Sequence, residues 1–141
     1  MRDRMFLDTN IFIYLYSESE TDKRNIVYQI FDSNYCVTSL QALNEASNVW
    51  FRKYGWDGVK IHRHLDNVEL LCDEILMIGR STIDKALTIK DCYGYSYYDC
   101  LMLSSALESN CSLIMTEDMN NGQIIHEHLL INNPFAKLEK Y

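Results

Sequence analysis

Four acidic side chains, Asp8, Glu45, Asp99 and Asp118, stand where a carboxylate needs a reason. Asp8 follows the apolar run Met5-Phe6-Leu7, and Asp118 follows Leu113-Ile114-Met115-Thr116-Glu117. On a helical wheel Asp99 falls among Met102, Leu103 and Ala106, the inward arc of its helix. Glu45 sits at the margin of the arc formed by Ala42, Leu43, Ala46, Val49 and Trp50, beside Arg52. A charge on an apolar face is costly unless something pairs with it. Carboxylate oxygens are the preferred ligands of Mg²⁺ and Mn²⁺, with waters completing the octahedron. Acids sharing a crevice repel one another, and a divalent cation would relieve that repulsion while also binding a phosphate oxygen. It would further ease deprotonation of a water for in-line attack on phosphorus. Asn10 and Thr116 are neutral groups able to orient a carboxylate or that water. Plainer uses exist: Ser96 with Asp99 three residues on fits a capping pattern, and a marginal Glu45 fits an ordinary solvated glutamate.

The elements that must position these residues alternate. The pattern predicts strands at Met5–Leu7, Tyr35–Thr38, Glu74–Ile78 and Ser112–Met115, with His128–Ile131 as a final edge strand. It predicts helices at Ile11–Tyr16, Thr21–Phe31, from Thr38 to about Tyr54 with Thr38 and Gln41 as a capping box, at Val59–Asn67, Thr82–Lys90, and from Ser96 to Asn110. Strands separated by helices imply right-handed βαβ units and a parallel sheet covered on both faces. In such sheets the active crevice lies beyond the carboxyl ends of the strands. Asp8 and the Thr116-Glu117-Asp118 segment both fall at such ends.

The composition sets bounds. A chain of 141 residues that is 48% hydrophobic can bury one ordinary core, so one domain spanning residues 1–141 is expected. No apolar run is long enough to span a membrane, and the short charged start leaves no room for a secretory signal. Five cysteines without a C-x-x-C pair suggest reduced thiols and a cytoplasmic setting. A net charge of −7 argues against a phosphate-bearing partner, except that an enzyme holding cations among acids counts those acids in its charge.

Five blocks, in order, resemble the PIN-domain ribonucleases, and closely their VapC-like toxin branch. They are M-F-L-D-T-N, L-N-E-A, Y-G-Y-S-Y-Y-D-C-L-M, L-I-M-T-E-D-M with the following N-G-Q-I-I, and the terminal N-P-F. The resemblance covers nearly the whole chain. It implies a three-layer α/β/α sandwich with a central, mainly parallel sheet, and Mg²⁺- or Mn²⁺-dependent endoribonuclease activity. It also implies homodimers and inhibition by a cognate antitoxin. Carried over residue by residue, Asp8, Glu45, Asp99 and Asp118 match the catalytic and metal-binding quartet, with Asn10 and Thr116 as supports. Glu117 reads as a variable neighbour, and Tyr98 stands where many relatives carry tryptophan.

Other signals are weaker. Arg52, Lys53, Lys60 and Arg63, with His62 and His64, form the most basic stretch and could track an RNA backbone, or could simply balance an acidic protein. His126 and His128 lack the spacing of a zinc-binding helix. Tyr14, Tyr16 and Tyr28 fit core or interface positions. Two alternative functions remain open at this level. One is an aspartyl-phosphate enzyme of haloacid-dehalogenase type, whose nucleophile loop wants a second Asp where Asn10 stands. The other is a non-catalytic RNA- or protein-binding module on the same fold.

Overall fold

The structure is a computed structural model and describes residues 3–140. In chain order the elements are β1 (Arg4–Leu7), α1 (Thr9–Leu15), α2 (Thr21–Ser33), β2 (Tyr35–Ser39), α3 (Leu40–Arg52) and α4 (Gly58–Leu71). There follow β3 (Glu74–Leu76), α5 (Arg80–Tyr93), α6 (Tyr97–Glu108), β4 (Leu113–Met115), β5 (Ile124–Ile125), β6 (Leu129–Asn132) and a short 3₁₀ turn over Ala136–Lys140. The strands form one sheet in the order β3-β2-β1-β4-β6-β5. All pairings are parallel except that of the edge strand β5 with β6. The expected α/β architecture with a central, mainly parallel sheet is therefore present.

Successive residues of a strand point to opposite faces, so a strand buried along its length lies between two covered faces. Met5, Phe6 and Leu7 are all buried, as are Cys36, Val37 and Thr38 in β2. Helices α1, α2, α3 and α4 pack against one another, and α5 packs along α6 as a second group. Trp50, Phe12 and Phe135 are among the largest side chains buried completely. No helix among the described residues is long and apolar enough to cross a membrane.

Local chemistry sets several boundaries. Ser96 caps α6, its hydroxyl accepting the Asp99 N–H at 3.2 Å. Asn110 takes a left-handed φ of 59°, a conformation tolerated best by Gly and Asn, and so ends α6. Two expectations need correction. The cap of α3 is Ser39, whose hydroxyl accepts the Ala42 N–H at 3.3 Å. Thr38 is still in β2, and its hydroxyl donates to the Leu7 carbonyl at 2.9 Å between strands. The C-terminal strand, moreover, is not the edge. β6 lies between β4 and β5, and the two-residue β5 takes the edge position.

Candidate active site

The sheet fixes where the acids meet. Asp8 follows β1 and caps α1, its Oδ1 accepting the Thr9 N–H at 2.7 Å. Its Oδ2 accepts the Thr116 hydroxyl at 2.7 Å, which ties the end of β1 to the end of its neighbour β4. The Thr116 hydroxyl in turn accepts the Asp118 N–H at 3.2 Å. Asn10, in the first turn of α1, donates from Nδ2 to Asp118 Oδ2 at 2.8 Å. Asn10 thus orients a carboxylate, and the position is not that of a second acid.

Glu45 and Asp99 reach the same edge on helices. α3 opens directly from the carboxyl end of β2, which places Glu45 in its second turn close to that edge. The C-terminal end of α6 lies at the amino end of β1, where the Arg4 guanidinium donates to the Ser109 carbonyl at 2.8 and 3.1 Å. α6 therefore starts at the carboxyl edge, and Asp99 is in its first turn. Asp99 is a helix-end acid whose charge also reaches Asp8, Glu45 and Asp118.

The electrostatics show the four to be neighbours. Burial, foremost, pushes the Asp8 carboxyl up to about 6. Its bonds from Thr116 and Thr9 pull the other way, and the charges of Asp99 and Asp118 add to the rise. Glu45 is pushed up to about 7, first by burial and then by Asp8, with Asp99 and Asp118 contributing and a bond from Gln41 opposing. Asp99 is raised by burial against a Ser96 hydrogen bond. Asp118 is raised by burial, then by Glu117 and Asp99. Among the described residues none of the four enters an ion pair with Lys or Arg.

This donor set suits a hard divalent cation: all oxygen, negative and unpaired. Among the described residues no three His, Cys, Asp or Glu groups converge on a single point. Mg²⁺ keeps several waters and takes only one or two carboxylates directly, so it does not require three converging side chains.

The basic stretch lies apart. Arg52 is seven residues beyond Glu45 on α3, about 10 Å along the axis. Arg52, Lys53 and Arg63 are exposed, while Lys60 is half-buried with its ammonium over the Trp56 ring at 4.4 Å. One cluster at the edge was not expected from the sequence. The Tyr14 phenol donates to Glu117, and Lys23 donates to Glu117 Oε2 at 3.1 Å and to the Tyr14 oxygen at 3.2 Å. The only sequence signal for it was Tyr14 on the same helix as Asn10, one turn on.

The chain belongs to the PIN domain family, whose model matches residues 5–122. No curated protein matches it. Among solved structures the chain resembles the toxin–antitoxin complex from Klebsiella pneumoniae, at 18% identity and a TM-score of 0.64, over 92% of this chain and 97% of that one. It resembles VapBC2 from Rickettsia felis bound to a promoter DNA fragment at 17% identity and 0.65, over 92% and 98%. Mycobacterium tuberculosis VapC20, described as a sarcin–ricin loop cleaving toxin, aligns at 16% identity and 0.62, over 78% and 86%. At these identities the likeness concerns the fold.

Proposed function

We propose that this PIN-domain chain is a metal-dependent endoribonuclease, using Mg²⁺ or Mn²⁺, and the toxin of a toxin–antitoxin pair. The observation that carries the chemistry is the edge where Asp8, Glu45, Asp99 and Asp118 gather. Burial raises all four, neighbouring acids raise Asp8, Glu45 and Asp118 further, and among the described residues none is in an ion pair with Lys or Arg. The toxin reading is supported by family membership and by the toxins and toxin–antitoxin complexes among the similar structures. An antitoxin partner and a homodimer belong to this reading.

When bound, the cation would neutralise the acids, engage a phosphate oxygen and ease deprotonation of the attacking water. The remaining roles fall to the chain. Asp8, fixed at both oxygens, and Asp118, fixed by Asn10, hold their carboxylates ready. Asp99 adds its carboxylate from the first turn of α6. Glu45, pushed up to about 7 first by burial and then by Asp8, can hold or release a proton near neutral pH before a cation binds. Arg52, Lys53, Lys60 and Arg63 would follow the RNA backbone beyond the edge.

The alternatives are less well supported. A haloacid-dehalogenase-type nucleophile loop needs an acid where the Asn10 side-chain amide donates a hydrogen bond to Asp118. A binding module has no use for unrelieved acids.

Asp99→Asn tests the reading. As a mere first-turn acid favoured by the helix dipole, Asp99 could be replaced with full cleavage retained and at most about 1 kcal/mol lost. In a repulsive metal site the variant loses RNA cleavage almost completely, while its melting temperature in chelator equals or exceeds wild type, because one repelling charge has gone. A folded Asp99→Asn protein cutting RNA at the wild-type rate would remove Asp99 from the site.

A further inference from the structure

Of the ion pairs among the described residues, Lys23–Glu117 is the least exposed, with side chains 20% and 15% accessible. Its setting is unusual. Glu117 stands between Thr116, which holds Asp8, and Asp118, which Asn10 holds. Both Glu117 oxygens are engaged, Oε1 by the Tyr14 phenol and Oε2 by the Lys23 ammonium. The ammonium also bonds the Tyr14 oxygen and lies over the Tyr14 and Phe135 rings at 4.5 and 5.4 Å. Tyr14 packs edge-on against the buried Phe135 with centroids 5.0 Å apart. The lock therefore joins α1, α2 and the segment after β6 to the residue next to Asp118.

We infer that Lys23 and Tyr14 are positioning residues for the acidic site: by holding Glu117 they fix the Thr116–Asp118 segment and with it the place of the Asp118 carboxylate. The inference rests on the proposed metal site and names two residues that the reading does not otherwise use. Geometry supports it. Thr116 is held by its N–H on the Asn132 carbonyl and its hydroxyl on Asp8, and Asp118 by its N–H on that hydroxyl and by Asn10. Tyr14 and Lys23 anchor the Glu117 side chain between them and so tie the segment to α1 and α2. Partners one step removed from a metal ligand set its orientation and affinity.

The test is Mn²⁺ binding to the intact protein, read by electron paramagnetic resonance, with Mg²⁺-dependent thermal stabilisation as a second readout. Lys23→Met should raise the half-saturating Mn²⁺ concentration by about tenfold. Lys23→Arg, which can keep the pair, should stay within about twofold of wild type. Tyr14→Phe keeps the ring on Phe135 and removes only the donor to Glu117, so it remains readable if Lys23→Met fails to fold. It should shift the midpoint in the same direction. Melting temperatures that fall while the Mn²⁺ midpoint stays at wild type would make the lock purely structural and overturn the inference. If wild type binds no Mn²⁺, or Asp99→Asn binds it equally well, the metal-site reading itself fails and the inference falls with it.

Discussion

Asp8 and Glu45 differ in how they are held. Asp8 is 4% exposed and bonded at both oxygens, whereas Glu45 is half-buried and has only the 3.5 Å contact from Gln41. Burial and neighbouring charge nevertheless carry both upward, to about 6 and about 7 from ordinary values of 3.8 and 4.5. The consequence for stability has a definite sign. A carboxyl whose pKa is higher folded than unfolded binds its proton more tightly in the fold, so its contribution is fully present below the unfolded value and is lost as pH rises through the folded one. For these two groups the window runs from about pH 4 to about pH 7. In chelator, wild type should melt higher at about pH 5.5 than at about pH 7.5, and Glu45→Gln should show a smaller rise. An identical rise in the variant, followed by circular dichroism melts, would mean that Glu45 is not strained by its neighbours. At this scale the meeting of the four acids was legible because acids on apolar faces or at strand ends violate an ordinary expectation. The Lys23–Tyr14–Glu117 lock was not, since each member alone suits a surface or core position and only tertiary packing brings α2 to the end of β4.

Among elements, the sequence located the strands and helices to within a few residues, and misjudged those whose signal is shared or short. Thr38 and Ser39 both precede α3 and both can cap. Register decides between them, because Thr38 faces Leu7 across the β1–β2 ladder and is thereby committed as a strand residue. Ser39 is left to accept the Ala42 N–H. Ser39→Ala should therefore cost about 1 kcal/mol in denaturant unfolding, and Ser39→Gly only a few tenths, the signature of a capping position. Equal losses from the two would return the cap to another residue. β5 escaped detection because Ile124 and Ile125 are too few to show alternation, and its existence depends on pairing with β6. The turn joining them puts His126 and Glu127 at φ of 48° and 65°, where non-glycine residues are uncommon, with the His126 N–H donating to the Tyr93 hydroxyl at 3.0 Å. Nothing in the local sequence announces that turn.

For the whole molecule, parallel topology explains why acids scattered from position 8 to position 118 meet at one edge. The carboxyl ends of β1, β2 and β4 lie along one edge, which brings Asp8, Glu45 in the second turn of α3, and Asp118 together there. α6, antiparallel to β1, adds Asp99 from its first turn. The net charge of −7 follows in part from this arrangement, since four of the twenty acids stand uncompensated at one edge. An RNA approaching that edge meets repulsion unless a divalent cation intervenes, which makes metal dependence the central claim. Its most direct measurement is cleavage of a structured RNA by the purified chain under controlled metal. Cleavage should occur with Mg²⁺ or Mn²⁺, stop in excess EDTA, and return when Mg²⁺ is restored. Cleavage continuing unchanged in excess EDTA would contradict the account.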